Sequence, residues 1–272
     1  MIDLHSHILP ELDDGATSWE QALEMARVAV ADGVTEVVCT PHWVPGKFDN
    51  SRPVILEQVE TCRRLLAEAQ IPLKVHPGAE LRIDINLPGL IKNRQVLTVN
   101  DGGIYALIEL PDESIPDHLD EFFWNLELLR IRPIISHVER NAVLREEPDR
   151  LYHWAVNGYL TQITASSLTE HFSEEIQDFA VFILEHRLAQ MLVSDGHGLR
   201  SRSPRLSAGL AVAAQILGAQ TARRMVWDVP RQILNGEAVR FPEPVPIDEP
   251  RRIDIFDYLP KRFGDKIKSL LK

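Results

Sequence analysis

Histidines and carboxylates stand at the ends of apolar runs in this chain. They are His5 and His7 in IDLHSH, His42 in EVVCTPH, Glu80 in KVHPGAEL, Glu109 in YALIEL, His137 in RPIISH, and Asp195 with His197 in QMLVSDGH; Asp14 follows the first pair closely. Imidazole and carboxylate donors without thiolates suit Mn²⁺, Fe²⁺ or Zn²⁺ in a hydrolytic site better than a structural zinc site. Residues i and i+2 of a strand project to one face, so His5 and His7 can grip one ion together. Taken singly, each residue could be a cap or a satisfied core group. As a set at the same end of successive strands, they predict a multinuclear metal centre.

The elements that must position them are strand-like runs at residues 2–5, 34–39, 73–80, 105–110, 132–137, 159–164 and 190–194. Between the strands, helical patterning covers 19–31 after a Thr17/Ser18 cap signal, then 53–69, 118–129, 149–156, 173–186, 203–217 and 220–228. This alternation predicts an α/β fold with a parallel sheet closed into a distorted seven-stranded barrel; a doubly wound open sheet is the alternative. The barrel is preferred because polar residues end nearly every strand, whereas an open sheet gathers its site at one switch point. The body is expected to span residues 1–235. Pro242, Pro244, Pro246 and Pro250 then predict an extended linker over 236–250. In the basic tail, 251–272, Leu259, Phe263, Ile267, Leu270 and Leu271 fall at helical spacing among lysines and arginines. Such a tail suits docking on the body, or contact with a membrane surface or a partner.

With 272 residues, 44% apolar and 25% charged, the composition is that of a soluble globular protein. A net charge of −11 argues against a general nucleic-acid or anionic-membrane surface. No signal-like start and no run of about 18 apolar residues occurs, which predicts a cytoplasmic protein. Cys39 and Cys62 form neither a disulfide framework nor a CxxC pair. Pro45 and Glu68 stand where a CX5R loop needs arginine, so cysteine-based phosphatase chemistry is excluded.

Taken in order, the histidine and carboxylate motifs resemble those of the PHP superfamily, named for polymerase and histidinol phosphatase domains. Within it, IDLHSHILPELDDG, GAEL, YALIEL, SHVERN and SDGH are most similar to the manganese-dependent protein tyrosine phosphatases of bacterial capsule and exopolysaccharide gene clusters, the CpsB and YwqE type. The resemblance covers nearly all of residues 1–235. It implies a distorted seven-stranded barrel with three divalent ions, Mn²⁺ first, with Fe²⁺ or Zn²⁺ as alternatives. By this resemblance His5, His7, Glu80 and Asp195 hold the first ion, and Glu80 bridges to a second held also by Glu109 and His137. Asp14, His42 and His197 hold the third. The choice of Asp14 over adjacent Asp13 rests on the resemblance alone. The implied substrate is a phosphotyrosine protein, the tyrosine-rich tail of a bacterial tyrosine kinase that controls polysaccharide export, with no nucleic-acid partner. Histidinol phosphatase is the alternative, opposed by the Asp13–Asp14 pair where such enzymes tend to carry histidine. A metal-binding regulatory module without turnover is the second alternative.

Closely spaced divalent ions acidify a shared water and neutralise phosphate oxygens. Arg140, three residues past His137, is expected to clamp the phosphate, with Arg202 second and Arg200 third. Trp43 and Phe48, in WVPGKFDN, are candidates for stacking on an aromatic substrate or for lid packing. His76, His118, His153, His171 and His186 are read as structural.

Overall fold

The computed structural model describes residues 1–169, 172–200 and 202–247. In chain order the elements are β1 (Ile2–Ser6), α1 (Trp19–Ala31), β2 (Glu36–Cys39), β3 (His42–Val44), β4 (Phe48–Asp49), α2 (Arg52–Glu68), β5 (Lys74–Pro77) and β6 (Glu80–Arg82). They continue with α3 (Leu87–Lys92), β7 (Tyr105–Glu109), α4 (Leu119–Leu128), β8 (Arg132–Ile135), α5 (Ala142–Glu146), α6 (Pro148–Val156) and β9 (Leu160–Thr164). The last are α7 (Glu174–Glu185), β10 (Met191–Val193), α8 (Ser207–Leu217), α9 (Ala219–Val226) and α10 (Asp228–Leu234). The result is an α/β fold with mostly parallel strands.

The helices form where an apolar stripe recurs at helical spacing. In α1 the stripe is Ala22, Met25, Ala26 and Ala29, and Ser18 caps its start by accepting a hydrogen bond from the Gln21 amide. In α2 it is Ile55, Val59, Cys62 and Leu66, behind a proline in the first turn. Every residue of β1, β7 and β9 is buried, as expected for parallel strands with both faces covered.

Alternation along the strands sorts side chains into two apolar layers. Ala106, Ile108, Ile135 and Leu192 pack with the helices. Ile2, Leu4, Val38, Tyr105, Leu107, Ile134, Met191 and Val193 form a separate inner cluster with Val229, Ile233 and Leu234 of α10. The inner alternation continues toward the strand ends: Tyr105 and Leu107 lead to Glu109, Leu160 leads to Gln162 and Thr164, and Met191 and Val193 lead to Asp195. The same layer is thus apolar along most of its length and polar at the carboxyl end. In β1 a register irregularity between Asp3 and Ser6 turns His5 and His7 toward that end, as bulges do near sites.

Two of the expected strands are broken. The run 73–80 is divided into β5 and β6, and the run 34–39 resumes past Pro41 as β3. Gly78 passes so close to β2 that a Cβ there would lie 2.7 Å from Val38 Cγ1, and Pro41 has no N–H for a ladder. The ladders therefore form two sheets, β1–β2–β5 and β10–β9–β8–β7–β6–β3–β4, instead of one hydrogen-bonded ring. The Asp195 amide donates to the His5 carbonyl (3.0 Å) and the His7 amide to the Gly196 carbonyl (2.9 Å), joining β1 to the segment after β10. The loop expected at WVPGKFDN is a hairpin, with β3 and β4 antiparallel.

Residues 237–247 carry neither helix nor strand and lie along the body. The Val245 amide donates to the His186 carbonyl at 2.9 Å, and Phe241 and Ile247 pack on the core. The basic tail expected at 251–272 lies outside the described residues, as does His171. Among the described residues no helix is long and apolar enough to cross a membrane.

Candidate metal centre

All nine side chains singled out in the sequence meet at the carboxyl end of the strands. His5 Nε2 lies 3.0 Å from His7 Nε2, 3.1 Å from Glu80 Oε2 and 3.3 Å from Asp195 Oδ1; His7 Nε2 lies 3.4 Å from each of these two oxygens. Four ligands about 2.0–2.2 Å from one ion stand about 3.3–3.6 Å apart at tetrahedral angles, close to this spacing. Glu80 also faces outward from that group. Its Oε1 is 3.0 Å from His137 Nε2, which is 3.9 Å from Glu109 Oε1. A third corner holds Asp14 Oδ1, 3.5 Å from His42 Nε2 and 3.4 Å from His197 Nε2. His42 Nδ1 points to Glu80 Oε2 at 3.1 Å and Glu109 Oε2 at 3.5 Å, so this imidazole stands between two corners.

The donor set fits cations. Both oxygens of Glu80, Asp195 Oδ1, Glu109 Oε2, His42 Nδ1 and His197 Nε2 are buried without a hydrogen-bond partner. Burying the Glu80 and Asp195 carboxylate oxygens in that state costs several kcal/mol each on the usual order, unless an ion satisfies them. His137 and Asp195 are also held at φ 28° and φ 49°, a left-handed backbone that non-glycine residues seldom adopt.

A second layer fixes which imidazole nitrogen faces the cluster. The His7 Nδ1–H donates to Asp13 Oδ2 at 2.6 Å, and the same carboxylate accepts from the His42 amide (2.8 Å) and the Gly15 amide (2.9 Å). Asp13 thus orients His7, while Asp14 faces His42 and His197. Gly15 is required there, since a Cβ would lie 2.2 Å from the His7 carbonyl oxygen. The His197 Nδ1–H donates to the Asp195 carbonyl at 2.8 Å. Behind His5, the Gln162 amide nitrogen lies 2.6 Å from Nδ1 while Gln162 Oε1 is buried without a partner. A half-turn of that amide lets Oε1 accept from Nδ1–H and leaves the His5 Nε2 lone pair facing the cluster.

Electrostatics follow from crowding. Burial first, then the neighbouring Glu80 carboxylate, pushes the Glu109 carboxyl up to about 8. Burial would raise Asp195 too, but the Arg140 guanidinium and nearby imidazoles hold it well below the usual carboxylate range. Burial also draws His42 down to about 4 against the pull of Glu80.

The expected arginines divide by position. Arg140 is largely buried, and its Nη2 donates to Asp195 Oδ2 (2.6 Å) and Thr164 Oγ1 (2.7 Å). Arg202 stands at the mouth, with Nη2 3.3 Å from Asp14 Oδ2 and Nη1 3.6 Å from Asp195 Oδ2. Arg200 and Arg202 line a cavity of about 360 Å³ together with Asp14, His197 and Gln21. Trp43 is buried in the core, which gives it a packing role, whereas half-buried Phe48 lies beside His42. His76 pairs with Glu36 at 2.8 Å, away from the cluster.

Sequence reasoning passed over three contributors. Asp13 was seen without its role, Gln162 is a lone polar residue inside a strand, and Arg82 lies with Nε 3.0 Å from Glu109 Oε2. Arg82 carried a usable signal, being two residues past Glu80 on β6 and therefore on its face.

The CpsB/CapC family of capsular polysaccharide synthesis matches residues 1–235. The tyrosine-protein phosphatase YwqE of Bacillus subtilis is 33% identical over 256 residues, covering 94% of this chain and 100% of the relative. The tyrosine-protein phosphatase CpsB of Streptococcus pneumoniae is 29% identical over 244 residues, covering 88% of this chain and all (100%) of the relative. A crystal structure from a study of YwqE and CpsB, described as unique metal-dependent tyrosine phosphatases, superposes with a TM-score of 0.87 at 33% identity. It covers 92% of this chain and 100% of that one.

Proposed function

The chain belongs to the CpsB/CapC family of capsular polysaccharide synthesis, and we propose that its histidine–carboxylate cluster is the active site of a metal-dependent tyrosine-protein phosphatase. The observation that carries this reading is the set of buried, unpartnered donors converging around Glu80. His5, His7, Glu80 and Asp195 hold one ion in this proposal; Glu80, Glu109 and His137 a second; and Asp14, His42 and His197 a third. The distances from His5 to Glu80 and Asp195, from His137 to Glu80 and Glu109, and from Asp14 to His42 and His197 support the division, and the lack of thiolates suits Mn²⁺, Fe²⁺ or Zn²⁺, with Mn²⁺ taken first from the family resemblance. Once bound, such ions supply Lewis acidity to phosphate oxygens and lower the pKa of an attacking water.

The protein's own groups orient and attract. Asp13 and the Asp195 carbonyl hold His7 and His197 so that each presents Nε2 inward. Arg140 ties down Asp195 and Thr164 through Nη2, and the same guanidinium in this proposal meets a phosphoryl oxygen. Arg202 and Arg200 draw a dianionic phosphate into the cavity beside Asp14 and His197 despite the acidic protein. We assign the body to residues 1–235. Counting β2 with β3 and β5 with β6 as single bent strands gives seven staves for a distorted barrel. The substrate in this reading is the tyrosine-rich tail of a bacterial tyrosine kinase, met by this protein in the cytoplasm.

The test is reconstitution. Protein stripped with EDTA should lose hydrolysis of a phosphotyrosine peptide and regain it with Mn²⁺; full activity of the stripped protein would overturn the reading.

A further inference from the structure

The hairpin after His42 brings an aromatic ring to the edge of the metal cluster. Val44 pairs opposite Phe48, and His42 lies two residues before Val44, so the pleat places Phe48 and His42 on one face while Trp43 turns to the core. The Phe48 ring lies nearly parallel to the His42 imidazole, at 10° with centroids 5.8 Å apart. The exposed Lys47 ammonium is 4.7 Å from the ring centre. This is a fixed wall. The Asn50 amide donates to the Leu12 carbonyl (2.7 Å) and the His42 carbonyl (2.8 Å), tying the hairpin to the loop that carries Asp13 and Asp14.

We propose that Phe48 is the surface on which the aryl ring of the substrate packs, making it a selectivity element for aryl over alkyl phosphomonoesters. The inference rests on the phosphatase reading above. With the phosphate at the Asp14, His197 and Arg202 rim of the cavity, His42, whose Nε2 is 3.5 Å from Asp14 Oδ1, leads from that rim to the Phe48 ring, and in this proposal the ester group is directed that way. In phosphotyrosine the first group past the ester oxygen is a flat ring, which Phe48 can meet by stacking or edge contact. In phosphoserine it is one methylene followed by peptide backbone, which gains little from that wall. Lys47 adds a cation beside the ring, suited to an acidic residue flanking the tyrosine.

The experiment measures calorimetric binding of phenylphosphonate and of methylphosphonate to the Mn²⁺-loaded protein. The parent, Phe48→Ala, Phe48→Leu and Phe48→Trp are compared, with metal content determined for each. The phenyl-to-methyl affinity ratio should fall about tenfold in Phe48→Ala, on the scale of an aromatic contact. It should fall partway in Phe48→Leu and hold in Phe48→Trp, at equal metal content throughout. An unchanged ratio in Phe48→Ala overturns the proposal. So does loss of metal from that variant, which would make the ring a prop for His42. Hydrolysis of a phosphotyrosine peptide by the parent is measured alongside, so that failure of the phosphatase reading is seen separately.

Discussion

Asp13→Asn probes the second layer while keeping size and shape. In the parent, one carboxylate oxygen accepts from His7 Nδ1–H and from the His42 amide, and the other accepts from the Gly15 amide. Asparagine has one oxygen to offer. With that oxygen toward His7, its NH₂ faces the Gly15 N–H; with the oxygen toward Gly15, NH₂ faces both the His42 N–H and the imidazole. Either way a buried donor loses its acceptor, at about 1–3 kcal/mol. The second orientation also favours the His7 tautomer with its proton on Nε2, where a ligand lone pair is needed. Metal affinity should therefore fall about 10–100-fold, the range for second-layer partners of ligating histidines. The assay is competition against a chelator of known affinity, with circular dichroism to confirm that the fold persists. Affinity within about twofold of the parent, well inside that range, would refute the claim that Asp13 sets the His7 tautomer.

Asp195→Ala removes a side chain shared by the first cluster, Arg140 and Arg202, and should abolish hydrolysis while leaving circular dichroism near that of the parent; retained metal-dependent activity would remove Asp195 from the site. Arg140→Ala should lower kcat by about 10²-fold if the guanidinium meets charge developing in the transition state, and a variant within about threefold would return it to a purely structural part. A pH effect is expected away from the histidine–carboxylate cluster. His76, Arg231 and Lys74 surround Glu36 and, against burial, hold its carboxyl down to about 2 from 4.5. A depressed folded value means stabilisation that is present above pH 4.5 and fades as pH falls toward about 2. Glu36→Gln should accordingly be less stable than the parent near neutrality, with the gap in melting temperature closing across that acid window; a constant gap would disprove the linkage.

The histidine–carboxylate cluster was legible because its residues end apolar runs, and a run's parity decides which side chains reach the inner face. Glu109 and Asp195 continue the alternation of Tyr105–Leu107 and Met191–Val193 without interruption. His5 does not, and its inward aim depends on an irregularity in β1 that alternation alone would not place. Tertiary contacts hid the rest. Helix α8 begins at Ser207 instead of near 203 because Asp32, at the end of α1, accepts from the Leu206 and Ser207 amides at 2.7 and 2.9 Å. A cap supplied from so far back in the chain leaves no local signal. The break before β6 depends on how closely Gly78 approaches Val38, a contact between strands. Gln162 acquires its role from an imidazole distant in sequence. Asp13 and Asp14 are indistinguishable as letters; the fold separates them by closing the Gly15 turn onto His7.

The most direct test of the account compares kcat/KM of the Mn²⁺-loaded protein on a phosphotyrosine peptide, a phosphoserine peptide and histidinol phosphate side by side. Arginines and metal-ligand types surround the cavity, and no separate general acid stands among the described residues lining it. A tyrosyl oxygen, with a pKa near 10, leaves with less help from a proton than an aliphatic alkoxide does. The phosphotyrosine peptide should be hydrolysed well above the other two. A clear preference for histidinol phosphate over every phosphotyrosine peptide tested would contradict the assignment while leaving the metal cluster in place.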